Sequence, residues 1–450
     1  MKKRLSLFVM ALIQLSQMPV LAADEEPVAK IRATYGSATL SAIEETDRQI
    51  LKKEAEFLQF NGAFREHYAT PNKWRTRRVN AANFTAGALA NAGDITLLSQ
   101  FWRYHNDPGV GLQHKGRLEA GPAIVLSAYC TLGGLTALEG IHDMYSDYRA
   151  KQKGFDAKTV LSKGKKLKGE LDALIDARQK QVNGATDLSR DDSTRLTAES
   201  HFLKDCHDLT LLEFSRLYVD SRKQKAARDL NTLGTIAVCA TGAFPGAYDV
   251  IRGIQKVNLK DVGGGGIGFL ISGSLLTVAQ VLIYGGAAVT GKLSNETVLK
   301  AIGEGQCKIA DNLARDARAL EALNTSSQEQ RGYTAISQLL ADREALLNKE
   351  RRAHKHEIVY SLIEHAALGG PQIAFGTLLT RAGYHYTNNP VKAFGDVAVG
   401  ATVNEVSWAL WQLQSTKDIF SSEIGFHKPV AVEAFSLDNS SLKQLQSAVQ

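Results

Sequence analysis

Residues 262–291, VGGGGIGFLISGSLLTVAQVLIYGGAAVTG, lie between Asp261 and Lys292 and contain no charged side chain. A helix of thirty such residues reaches about 45 Å, more than the roughly 30 Å hydrocarbon core of a bilayer. A soluble helix keeps a polar face, and this segment offers only Ser, Thr and Gln280 for one. It therefore reads as a membrane span. Gly264, Gly268 and Ser272 recur every four residues and leave a flat stripe on which another helix can approach closely. Two phosphate-loop patterns in the segment fail on context. Gly263, Gly265 and Gly268 satisfy G-x-G-x-x-G, but no acid follows until Glu296, and Leu293 stands where a P-loop needs the Ser/Thr that holds magnesium.

Four further segments repeat the pattern in weaker form. Residues 120–138 and 230–248 are uncharged, 358–380 carry Glu364 and His365, and 397–414 carry Glu405. Together they predict an all-α, multi-span helical membrane protein with about five spans. The polar sequence between the spans predicts two long helical hairpins. Residues 146–229 turn through NGATDLSRDDS, with Leu167, Leu171, Leu174 and Ile175 at helical spacing; residues 294–356 turn through NTSSQ, with Ser294 as N-cap. The resulting plan is a signal peptide over 1–22, an exported helical domain over 23–118, and span-hairpin-span units over 119–254 and 263–381. A fifth apolar helix over 393–414 and a C-terminal tail over 415–450 complete it. Each unit closes on a span that contains a proline, Pro245 and Pro371, and paired helix breaks free backbone groups to meet a ligand near a membrane midplane.

The first residues point to export. Lys2, Lys3 and Arg4 precede the apolar run LSLFVMALIQL, and VLA before Ala23 supplies small residues for cleavage near Ala22. Residues 24–118 are then expected outside a bacterial inner membrane, and an odd number of crossings puts both hairpins and the tail in the cytoplasm. The 18 Lys/Arg against 14 Asp/Glu of residues 146–229 agree with that side. Within the outer region Ser41 and Glu44 form a capping box, and a second helix is expected over 80–103, ending at HNDPGVG. A net charge of +6 over 450 residues is too dilute for a nucleic-acid footprint.

No catalytic pattern emerges. There is no G-x-S-x-G elbow, Glu139 and His142 lack the second copy that a di-metal site requires, and His201, Cys206 and His207 lack a second ligand pair. The chain is expected to be non-enzymatic, with no metal and no cofactor. Cys130, Cys206, Cys239 and Cys307 follow no disulfide framework and read as free thiols. Among the acids near apolar sequence, Glu139, Asp249 and Asp396 can sit at headgroup level, leaving Glu364 and Glu405 as intramembrane polar candidates. The expected role is structural or in assembly of the cell envelope, with the lipid bilayer, other envelope proteins or further copies of the chain as partners. Two alternatives stand beside it: an ion or small-solute channel or transporter that uses Glu364, Glu405 and the proline breaks, and an exported soluble helical protein that inserts into membranes later.

Overall fold

The computed structural model describes residues 38–69, 73–185, 189–303, 359 and 361–424, and among these every regular element is helical. In chain order they are α1 (Ala38–Ala69), α2 (Lys73–Tyr104), the short α3 (Pro108–Gln113), α4 (Lys115–Gln152), α5 (Ala157–Gly184) and α6 (Arg190–Thr241). A distorted turn at Gly242–Ala247 leads into α7 (Tyr248–Lys256), followed by α8 (Leu259–Ile302), α9 (residues 361–384) and α10 (Pro390–Ile424). Two stretches, one beginning at Lys115 and the other Leu259–Ile302, are long and apolar enough to cross a membrane, and less than half of either apolar window is buried. The other three expected spans are helical but more polar.

Side-chain caps set several helix starts. Asp156 accepts from the backbone N–H of Lys158 and Thr159 ahead of α5, and Ser189 accepts from that of Asp192 ahead of α6, whose first turn carries Asp191 and Asp192 at the positive end of the helix dipole. The first hairpin therefore turns at 185–189, inside NGATDLSRDDS. Two expected caps are not caps. Ser41 lies within α1, and Ser294 is buried inside α8, which runs on to Gly303 at φ 88°. Helix α8 continues because Val298 and Ile302 pack into a core at its far end. The remainder of the expected second hairpin, including NTSSQ, lies outside the described residues.

Two apolar cores divide the molecule. The first joins α1, α5, the first half of α6 and the end of α8 around Ile50, Phe57, Leu171, Phe202, Phe214 and Val298. Arg178 of α5 is buried there and pins three helices, donating to Asp47 of α1 and to Glu199, Ser200 and the Leu196 carbonyl of α6. The second core joins α2, α4, the end of α6, α7, α8, α9 and α10 around Leu97, Phe101, Tyr129, Phe269, Phe375 and Trp408.

The second core is a bundle of six passes. At one end Arg75 pairs with Asp143 and Lys225 with Asp147; at the other Lys115 reaches the Gln255 carbonyl and Arg381 pairs with Asp396. The passes alternate, so α1, the α5/α6 hairpin and the last turn of α10 emerge at the same end. Residues 38–69 and the first hairpin share one core, and α2, expected within a domain apart from the apolar segments, packs in the bundle as a further helix.

Backbone contact holds the bundle together. A Cβ added at Gly268 would lie 2.5 Å from the Gly246 nitrogen and 2.6 Å from the Pro245 carbonyl carbon. Ser272 is fully buried on the same face, whereas Gly264 sits at its edge, 3.6 Å from an Asp249 oxygen by the same measure. A second stripe, absent from the sequence reading, sets Gly266 and Gly273 of α8 against Gly376 and Gly369 of α9, with Gly383 against Gly263 one step further. The α9 glycines repeat every seven residues, whereas the α8 positions step by seven and then three. Apolar side chains are correspondingly displaced outward: Ile267, Ile271, Val278, Leu282 and Val289 line one exposed face of α8 at steps of four and seven.

Two outcomes follow from this packing. Gly268→Ala places a methyl group against backbone that cannot withdraw, and is expected to cost about 1–3 kcal/mol, read as a fall in the melting temperature of the purified protein; an unchanged melting temperature would contradict the contact. The second concerns His207, which is buried between Glu54 and Asp172 at 3.1 Å each. Burial opposes its charge, but the hydrogen bond and charge of Glu54, with those of Asp172, outweigh it and raise the pKa above the ordinary 6.5. The stability it contributes is thus fully present below the unfolded value and is lost as pH rises through the folded one. Melting temperature is expected to fall as pH rises above the ordinary histidine value of 6.5 in the wild type, and His207→Leu to flatten that limb; a wild-type profile that rises there would reject the assignment.

Candidate functional site

The break after α6 organises the bundle interior. Pro245 removes a backbone donor, and Phe244 takes an extended conformation, φ −106° and ψ 138°, within Gly242–Ala247. The Tyr129 ring lies over this break, where a Cβ at Gly242 would come within 2.6 Å of it. The Tyr129 hydroxyl accepts from the Gln372 amide at 2.5 Å, Gln372 also donates to Ser272 Oγ at 2.9 Å, and Ser272 donates to the Val238 carbonyl at 2.9 Å. One buried polar chain thereby joins α4, α6, α8 and α9. Pro371, beside Gln372, differs from Pro245: α9 runs through it as one helix, and the Ala367 carbonyl merely lacks its usual donor.

A cavity of about 810 Å³ opens beside this chain, between α2, α4, α6, α8, α9 and α10. Its aromatic wall is Tyr129, Trp408 and Trp411, with successive ring centroids 5.5 and 6.1 Å apart and edge-on geometry. Its polar end carries Arg75, Arg78, Glu139, His142, Glu364, His365 and Asp418, and reaches the surface at the exposed His142. Most of these charges are accounted for. Arg78 Nη2 donates to Glu139 at 3.1 Å, and Arg75 Nη2 donates to Asp143 at 2.9 Å. His365 is held as a neutral ring, its Nδ1–H donating to the Ser361 carbonyl and its Nε2 accepting from the Gln280 amide, both at 2.9 Å. Glu364 is half-buried and makes no hydrogen bond or ion pair among the described residues.

The structure separates the two acids singled out in the sequence. Glu364 lines the cavity near its polar end, not at its middle. Glu405 lies outside the cavity, half-buried, with Oε2 enclosed and without a hydrogen-bond partner. Glu139 and Asp396 are neutralised at opposite ends of the bundle by Arg78 and Arg381. The sequence reading missed Asp94, which is fully buried on α2. A signal for it existed: Asp94 is the sole charged residue between Arg78 and Arg103.

Metal chemistry finds no support in the clusters read from sequence. Among the described residues no group of three or more His, Cys, Asp and Glu is placed to hold an ion. His207 is committed to Glu54 and Asp172, and Cys206 is a buried free thiol whose pKa burial pushes well above its ordinary value. Cys130 and Cys239 are also free, and Cys307 lies outside the described residues. No protein-family model, curated protein or solved structure matches this chain.

Proposed function

We propose that the chain is a non-enzymatic integral membrane protein of the bacterial cell envelope that binds a small organic cation in the bundle cavity. The membrane reading rests on an inverted distribution of side chains. Ile267, Ile271, Val278 and Leu282 face outward, while Ser272, Gln372, Asn404 and Asp94 are buried. In water that arrangement is unfavourable on both counts; in a bilayer the outer residues meet lipid and the inner ones meet each other. An early-soluble, late-inserting protein would need to cover this outer face in its soluble state.

Orientation follows from the shared core of α1 and the first hairpin. With the expected leader removed on the outer side, α1, the hairpin and the end of α10 lie outside, and the turns at 105–114, 257–258 and 385–389 face the cytoplasm. Lys and Arg flank both ends of the bundle, Arg75 and Arg228 at one and Arg252, Lys260 and Arg381 at the other, so charge alone does not orient it. Cysteines introduced at the exposed Lys165 and Lys260 test the arrangement against the unmodified protein. Lys165→Cys is expected to react with an impermeant thiol reagent in intact spheroplasts, and Lys260→Cys only after lysis. The opposite result inverts the protein, and reaction of both in intact cells removes the span reading.

A single observation carries the ligand class: Glu364, which forms no ion pair among the described residues although the charges of Asp418 and Lys417 reach it, shares a cavity with Tyr129, Trp408 and Trp411. Aromatic faces and a carboxylate together attract a desolvated organic cation, whereas a purely structural bundle has no use for an open cavity of this size. Tetraphenylphosphonium is a suitable probe. It is expected to quench Trp408 and Trp411 saturably, and Glu364→Gln to weaken binding at least about tenfold, equivalent to roughly 1.4 kcal/mol. Quenching that is unsaturable, or equal in the variant, returns the protein to a structural or assembly role.

A further inference from the structure

We infer that Asp94 of α2 and Asn404 of α10 form the centre of a second binding site, for one dehydrated monovalent alkali cation, closed off from the organic-cation cavity. Both residues are fully buried, and neither lines that cavity. The Asn404 amide nitrogen donates to Asp94 Oδ2 at 2.6 Å, which fixes the amide so that its Oδ1 can only accept. Yet Asn404 Oδ1 and Asp94 Oδ1 both lack a hydrogen-bond partner. Asn91 Oδ1, one helical turn before Asp94, and Glu405 Oε2, adjacent to Asn404, are likewise enclosed and unpartnered. Two enclosed acceptor oxygens thus meet at the Asp94–Asn404 contact, with the Glu405 carboxylate near enough for its charge to act on Asp94.

A seam of this composition asks for positive charge. Buried acceptors are ordinarily satisfied, and a carboxylate away from water ordinarily has a cationic neighbour. Among the described residues the charged group that acts on Asp94 is itself acidic, Glu405 of α10. Protonation of Asp94 would turn one of these acceptors into a donor and would supply no second donor for the rest. A small hard cation meets several oxygens at once, and its preference for carboxylate and carbonyl oxygen matches a donor set without nitrogen or sulfur. The fully buried pair contributes one carboxylate and one neutral amide oxygen, which balances a single charge; a divalent ion would call for more carboxylates in the first layer of contacts.

Equilibrium binding of radioactive sodium to the purified protein in detergent, with choline replacing other cations, tests the site without reference to any organic ligand. Saturable sodium binding with a matching rise in melting temperature is expected. Asp94→Asn is expected to abolish both while the protein remains folded, since the amide keeps the shape and the contact with Asn404; should that variant fail to fold, Asn404→Ser removes the second ligand and is expected to weaken binding. Absence of sodium, lithium and potassium binding by the wild type overturns the site. Binding that survives in a folded variant overturns its location, and a response to calcium alone, or to pH alone, overturns the monovalent assignment. Retained tetraphenylphosphonium quenching in Asp94→Asn would show that the two sites fail or stand separately.

Discussion

The bundle depends on backbone meeting backbone along α8. Gly268 against Gly246, and Gly266 and Gly273 against Gly376 and Gly369, bring helices to distances at which no Cβ fits between them. Contact this close leaves no layer of interdigitating leucines in the middle of the molecule. Among the aromatic and aliphatic side chains of the bundle interior sit buried polar ones: Ser272, Gln372, Tyr129, and further out Asp94 and Asn404. The large aliphatic groups of α8 are left on its outer face. The apolar outer face of α8 and its close backbone contacts are therefore two consequences of one packing choice.

The polar end of the molecule is built on the opposite logic. Helices α1, α5 and α6 enclose a conventional core of Phe57, Leu171, Phe202 and Phe214, and its buried charges are compensated: Arg178 by Asp47 and Glu199, His207 by Glu54 and Asp172. Removing one member of such a group strands the others, which costs about 3–5 kcal/mol in comparable buried pairs. Helices α6 and α8 run without interruption from this core into the bundle. Two long helices thus couple a compensated, water-facing assembly to an uncompensated, polar-cored one, and a shift of either helix along its axis would be felt in both.

The proline at 245 and the proline at 371 illustrate how context decides a local signal. Pro245 follows Phe244 and Pro371 follows Gly370, and both remove a backbone donor. At Pro245 the chain leaves helical geometry because Gly242 and Gly246 let Tyr129 and α8 press against it; at Pro371 the helix persists because Gly369 and Ile373 on either side are held against Gly273. The same covalent constraint gives a break in one place and an uninterrupted helix in the other.

Several features of this protein were legible from residue order alone. Helical class, the first hairpin turn at 185–189, the tight face of Gly268 and Ser272, and the free thiols at Cys130, Cys206 and Cys239 all follow from local rules: capping side chains, apolar period and the absence of Cβ. The place of α2 in the bundle was not legible, because Asn, Gln and Asp94 dilute its apolar character and the partner of Asp94, Asn404, lies on α10, more than three hundred residues away. The pairing of Gly266 and Gly273 with Gly376 and Gly369, the sharing of one cavity by Glu364, Trp408 and Trp411, and the union of α1 with the hairpin were likewise decided only in three dimensions. A residue's own spacing states which face of its helix it occupies; what that face meets depends on helices a hundred or more residues away.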